Sequence, residues 1–145
     1  MTIQEKNFTS DSTFVLTPGT DVSLQDLIKY SRPGKQVVAS QATRQRVQAS
    51  REALENLVAQ GAVIYGVNTG MGGFVDHLVP IEKAHELQSN LIQGVSTNVA
   101  ERFPDSVARA TMFARIVSLS RGNSALSLEN FDRYIAIYNS GLIPE

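Results

Sequence analysis

The stretch from Val63 to Phe74, VIYGVNTGMGGF, places Gly66, Gly70, Gly72 and Gly73 within eight residues. Each glycine inside a helix or strand costs roughly 0.5–1 kcal/mol relative to alanine, so the chain must leave regular structure here. The apolar run Ala62-Val63-Ile64 ahead of the glycines predicts a short buried strand feeding a loop. Glycine supplies positive φ and lets another backbone or a ligand come close. Tyr65, at the rim of that loop, carries one phenolic group that can give or take a proton. Taken alone, the same residues also describe a surface turn with a packed tyrosine, because short motifs match by chance often.

Around this break the pattern is mainly helical, with short strands near the start. Residues 1–12 are polar and aperiodic and predict a flexible tail. Phe14-Val15-Leu16 predicts a strand stopped by Thr17-Pro18-Gly19, and Val37-Val38 a second. Between them Ser23 is an N-cap, with Asp26 in the first turn, for a short helix carrying Leu24, Leu27 and Ile28 and ended by Ser31-Arg32-Pro33-Gly34. From Gln41 to Gln60, Val47, Ser50, Leu54, Leu57 and Val58 form one helical stripe, and Gly61 terminates it. After the loop, Pro80 stands at a first helical position, and Ala84, Leu87, Leu91 and Val95 share a face. Phe103-Pro104-Asp105 breaks and recaps the chain. The helix from Ser106 to Ser120 is apolar on more than one side, which suits the interior of a larger body. Ser127 caps a last helix with the stripe Leu128, Phe131, Ile135 and Tyr138, closed by Gly141.

A chain of 145 residues, 42% hydrophobic and 19% charged, suits one globular domain. A net charge of -1 offers nothing to nucleic acid or an anionic membrane. Arg44, Arg46 and Arg51 fit a solvated helix face better than a phosphate track. The absence of cysteine excludes disulfides, thiolate catalysis and cysteine-ligated metals in this segment. No apolar run approaches a membrane span, and the N-terminus lacks a signal-peptide layout, so a cytoplasmic location is expected. His77 and His85, without clustered carboxylates, make a poor metal site.

Tyr65-Gly66-Val67-Asn68-Thr69-Gly70-Met71-Gly72 resembles the inner-loop signature of the aromatic amino acid ammonia-lyases and 2,3-aminomutases, the histidine and phenylalanine ammonia-lyase superfamily. Leu87-Gln88-Ser89-Asn90-Leu91-Ile92 is similar to the helix that follows that loop. The resemblance runs from Phe14 to Glu145 and implies that residues 13–145 are the N-terminal portion of a helical lyase domain, with the inner loop over residues 65–79. In this family an Ala-Ser-Gly or Thr-Ser-Gly tripeptide cyclises into 4-methylidene-imidazol-5-one (MIO), the electrophilic prosthetic group. Neither tripeptide occurs here, and the terminus straight after a well-formed helix suggests a cut from something longer. The resemblance further implies a homotetramer with shared active sites and a small aromatic amino acid substrate.

The implied chemistry is removal of a weakly acidic β proton from an amino acid whose amine is a poor leaving group. A tyrosine base must form its anion well below the ordinary phenol range of about 10, aided by positive charge or hydrogen-bond donors. By resemblance Tyr65 is that base and the glycine-rich loop the flap that delivers it and excludes water. Gly72 matches a position whose backbone lies against substrate, although Gly72 and Gly73 also simply let the loop turn. Leu91 and Val95, one helical turn apart, match the pocket for the substrate's ring, and are otherwise plain helix-core residues. Relatives that use tyrosine carry a histidine in the segment matching Gly94-Val95. Lacking any hydrogen-bonding side chain there, this chain favours phenylalanine, since an unpartnered buried phenol costs roughly 1–3 kcal/mol. Arg121 and Asn123, in RGNSAL, match a family motif only in part and receive no role, and His77 reads as loop structure. GMGGFVDHLVP and RGNSALS look more like the bacterial phenylalanine 2,3-aminomutases than the plant lyases. The expected function is therefore conversion of L-phenylalanine to β-phenylalanine through cinnamate. Phenylalanine ammonia-lyase is the alternative enzyme, and a non-catalytic helical assembly fragment the alternative of another class.

Overall fold

Parallel neighbouring strands need a crossover connection, usually a helix, and the N-terminal segment is built this way. The computed structural model describes residues 12–96 and 100–144, without the side chains of Ile81, Ala84 and His85. The expected tail thus lies almost wholly outside the described residues. Strand β1 (Thr13–Leu16) pairs with β2 (Gln36–Ala39) in the register Thr13↔Gln36 to Leu16↔Ala39, with α1 (Leu24–Tyr30) between them. Ser23 caps α1 through a reciprocal pair: Asp26 N–H donates to Ser23 Oγ at 3.1 Å and Ser23 N–H donates to Asp26 Oδ2 at 3.0 Å. The Ser23 hydroxyl, donating to Asp26 Oδ2 at 2.6 Å, and after it the Ser23 N–H hold the Asp26 carboxyl below its ordinary range.

Four longer helices follow among the described residues: α2 (Gln41–Ala59), α3 (Ala84–Val95), α4 (Asp105–Ser120) and α5 (Leu128–Ser140). The mainly helical class, with short strands ahead of the long helices, is as the patterning predicts. The chain divides into two compact units, residues 12–53 with 102–144, and residues 54–101.

The first unit has an aromatic centre. Tyr30 stacks on Phe113 at 5.2 Å, and Phe14 meets both rings edge-on at 5.1 Å. Phe113, Phe131, Ile116, Leu16, Val37 and Tyr138 are wholly buried around them. Tyr138 donates its hydroxyl to the Tyr30 carbonyl, and burial pushes its phenol up, against the opposing pull of the Arg109 guanidinium. Arg109, 3% exposed, lies 4.5 Å over the Tyr138 ring and donates to the carbonyls of Tyr138 and Lys35. A buried cation needs such partners, and periodicity alone gives no sign of it on an apolar helix face.

Side chains from distant elements complete this unit. Asn139 on α5 straddles Val37 on β2, accepting from its N–H at 2.8 Å and donating to its carbonyl at 2.9 Å, so the outer edge of β2 is satisfied by an amide instead of a third strand. Arg44 on α2 forms a two-pronged ion pair with Asp132 on α5. The RGNSAL segment acts here as a joint: at Gly122, φ +67, a Cβ would stand 2.8 Å from Arg46 Cγ and 2.9 Å from its carbonyl oxygen. Only glycine lets the α4–α5 connection approach α2 this closely. Arg121 and Asn123 border a polar cavity of about 130 Å³ with Thr17, Thr20 and Arg46.

Candidate functional site

The second unit holds the glycine-rich loop. Gly61, at φ +78, ends α2, with the Ala62 N–H returning to the Leu57 carbonyl at 3.0 Å. The strand expected at Ala62-Val63-Ile64 does not form, and Val63 is 65% exposed. The reason is Asn68. Its Oδ1 accepts from the Ile64 N–H at 2.7 Å and its Nδ2 donates to the Ala62 carbonyl at 2.8 Å, so this backbone pairs with an amide side chain and needs no neighbouring strand.

The loop is closed by its own backbone. Thr69 and Leu78 form an isolated antiparallel bridge, Gly70 N–H donates to the His77 carbonyl at 2.9 Å, and Val79 N–H donates to the Asn68 carbonyl at 2.9 Å. Thr69, 2% exposed, accepts from the Gly66 N–H at 3.1 Å and donates to the Gly70 carbonyl. A Cβ on Gly70 would stand 2.4 Å from the Phe74 carbonyl oxygen, so the turn through Gly72–Phe74 requires glycine there. His77 contributes its backbone and an edge contact with Phe74 at 5.7 Å between ring centroids, in keeping with a structural part in the loop.

Tyr65 projects from this framework with 62% of its surface exposed. Its hydroxyl oxygen accepts from the Gly72 N–H at 3.2 Å, which brings two of the predicted site residues together. The other two, Leu91 and Val95, lie one turn apart on α3, Leu91 half-buried and Val95 70% exposed. Pro80 precedes a 3-10 turn, Ile81–Lys83, and α3 itself begins only at Ala84, because Lys83 N–H closes on the Pro80 carbonyl at 2.9 Å. Gln88 on α3 reaches back to the loop, donating Nε2 to the Gly66 carbonyl at 3.1 Å. The patterning singled out neither Asn68 nor Gln88 by role. An asparagine inside a turn carries the signal for the first, and a polar residue on the Leu91 face the signal for the second.

An exposed phenol, hydrogen-bonded through its oxygen to a loop amide, is a group able to exchange a proton with a molecule bound beside it. The broad apolar grooves of the first unit, bordered by Leu27, Ile28, Val107 and Ala110 and by Val22, Leu24 and Val117, include none of the four residues. Among the described residues no three His, Asp or Glu converge to hold a metal ion, and no helix is long and apolar enough to cross a membrane.

The family model described as aromatic amino acid lyase matches residues 22–145. The structure of Pantoea agglomerans phenylalanine aminomutase superposes with a TM-score of 0.86 and 52% identity, over 90% of this chain and 26% of that one. Tyrosine aminomutase from Streptomyces globisporus gives a TM-score of 0.80 and 30% identity, over 85% and 23%. A histidine ammonia-lyase from Caldanaerobacter subterraneus subsp. tengcongensis is 34% identical over 130 residues, 90% of this chain and 26% of that enzyme. The chain thus spans about a quarter of the length of the relatives it matches.

Proposed function

The chain belongs to the aromatic amino acid lyase family, and from that premise we propose that it is the base-bearing N-terminal portion of a phenylalanine 2,3-aminomutase. The observation that carries this reading is the exposed Tyr65 hydroxyl, held at 3.2 Å by the Gly72 amide on a loop that Gln88 ties to α3. Relatives of this chain are ammonia-lyases and aminomutases.

In the proposed reaction Tyr65 acts as its phenolate: the oxygen takes the β proton of the substrate to become phenol, and the C–H electron pair becomes the new C=C bond of cinnamate as the amine leaves. The Gly72 N–H already points to that oxygen, so charge on it has a donor in place without rearrangement. When bound, MIO supplies the electrophile that turns the amine into a leaving group. Neither family tripeptide occurs in this sequence, so the group must come from other parts of the assembly. An outward-facing Tyr65 fits that arrangement. In an aminomutase the released amine adds back at the β carbon, and the proton on Tyr65 is the one available for return.

Leu91 and Val95 offer the substrate's ring apolar contact, and neither Gly94 nor Val95 can satisfy a phenol, which supports phenylalanine over tyrosine. Val95, Ile92, Phe74 and Leu78 are each more than 60% exposed in this unit and are the surface other parts of a homotetramer would cover. A cytoplasmic location accompanies this reading.

The matched histidine ammonia-lyases favour a second reading, a lyase that releases its product. Incubating the complete enzyme with L-phenylalanine separates the two. β-Phenylalanine with some cinnamate is expected; cinnamate alone assigns a lyase. Turnover of histidine to urocanate, with phenylalanine untouched, refutes the substrate.

A further inference from the structure

We infer that Gln88 is a positioning residue for the Tyr65 base, fastening the loop that carries the phenol to the helix face that meets the substrate's ring. The inference rests on the assignment of Tyr65 as base under the proposed function.

Gln88 and the loop are separated by 22 positions in sequence, and the amide Nε2 spans the gap to the Gly66 carbonyl at 3.1 Å. Gly66 directly follows Tyr65 and sits at φ +70, and the bond fixes the Gly66–Val67 peptide, one residue beyond the tyrosine. On α3, Gln88, Leu91 and Val95 fall at i, i+3 and i+7, one stripe of a helix. The stripe proposed to hold the ring therefore also holds the backbone of the residue next to the base. The phenol is tied separately at its far end, where Gly72 N–H donates to the hydroxyl. Removing Gln88 leaves that second bond intact and lets tyrosine and glycine drift together relative to Leu91 and Val95.

The consequence is specific. Ring binding depends on Leu91 and Val95 and stays, whereas the approach of the base to the β carbon loosens. Transfer of a proton is sensitive to small misplacements of the base. Gln88→Met keeps the length and helix propensity of the side chain while deleting the donor. Gln88→Glu keeps the shape and turns an acceptor toward the Gly66 carbonyl. The loss of one neutral hydrogen bond predicts a fall in kcat of about two- to tenfold for Gln88→Met, with a larger fall for Gln88→Glu and KM for phenylalanine changed by less than about twofold.

The test is steady-state kinetics of the complete enzyme with phenylalanine and its β-deuterated form. A larger primary isotope effect on kcat in both variants, with KM held, is the expected result, because proton abstraction then limits more of the turnover. Loss of folded enzyme lowers kcat without moving the isotope effect, and that outcome overturns the inference. So does an unchanged kcat. In a Tyr65→Phe background, Gln88→Met should have no further effect on residual turnover; an equal fall there shows that Gln88 acts by another route. Should Tyr65→Phe alone retain near-normal turnover, the base assignment fails and this inference with it. An inactive Tyr65→Phe beside an unaffected Gln88→Met fails the inference alone.

Discussion

Alanine at three neighbouring glycines of the loop should have three different outcomes, because the structure gives each a different reason to be glycine. At Gly70 a Cβ would meet the Phe74 carbonyl oxygen at 2.4 Å, the Phe74 Cβ at 2.8 Å and the Phe74 carbonyl carbon at 3.1 Å. Two of these atoms are backbone and cannot swing aside. The turn through Gly72–Phe74 has to move as a body, pulling on the Gly70–His77 bond at 2.9 Å. Overpacking of this kind costs about 1–3 kcal/mol. Spent on loop geometry, that lowers the population of the productive loop about 5- to 150-fold. At Gly72 nothing stands within 4 Å, but φ is +57. Within the chain itself the penalty there is conformational, about 1–2 kcal/mol, and the N–H that donates to Tyr65 is retained, so any further loss comes from the Cβ meeting substrate. At Gly73 a Cβ enters open space with no positive φ, so alanine should be near neutral. The assay is kcat/KM of the complete enzyme for the three variants, beside hydrogen exchange of the loop amides. The expected order of loss is Gly70→Ala, then Gly72→Ala, then Gly73→Ala. A Gly73→Ala variant as impaired as Gly70→Ala would show that the loop works in a different conformation and refute the reasoning.

Tyr65→Phe in the complete enzyme should cut turnover by about 10²–10⁴, the usual worth of a positioned acid–base group, while leaving the far-UV circular dichroism unchanged; a rate within a few-fold of wild type removes Tyr65 from the chemistry. Val95→His should shift the ratio of kcat/KM toward tyrosine over phenylalanine by about 5- to 150-fold, the range expected when a buried phenol gains a partner worth roughly 1–3 kcal/mol, and an unaltered ratio withdraws the pocket assignment. Tyr138 has its phenol pushed up by burial. Its contribution to stability should therefore be complete below the ordinary phenol range and be lost as pH climbs through the raised value. Denaturant midpoints measured across that alkaline range should fall less steeply for Tyr138→Phe, even though that variant starts lower at neutral pH for want of the bond to the Tyr30 carbonyl.

Local chemistry made much of this chain readable. Ser23, Ser127, Gly61 and Gly141 mark helix ends because an N-terminal N–H needs a side-chain acceptor and a C-terminal turn needs positive φ. Both requirements are met within a few residues, and α1, α2 and α5 begin or end where they predict. The stripe Leu128, Phe131, Ile135 and Tyr138 faces the core for the same reason: helical period is a local property. The motif around Tyr65 was equally legible as a break rich in glycine. What the linear order could not reveal is partnership across long separations. Asn139 replaces a strand beside Val37, Arg109 is buried against Tyr138 and the Lys35 carbonyl, and Gly122 admits Arg46. Asn68 takes the bonds a strand at Ala62–Ile64 would have made, and Gln88 reaches the carbonyl of the residue that follows Tyr65. A polar side chain advertises its capacity for hydrogen bonds in the sequence, but which backbone it satisfies depends on what folding brings within about 3 Å of it, and that only the tertiary structure decides.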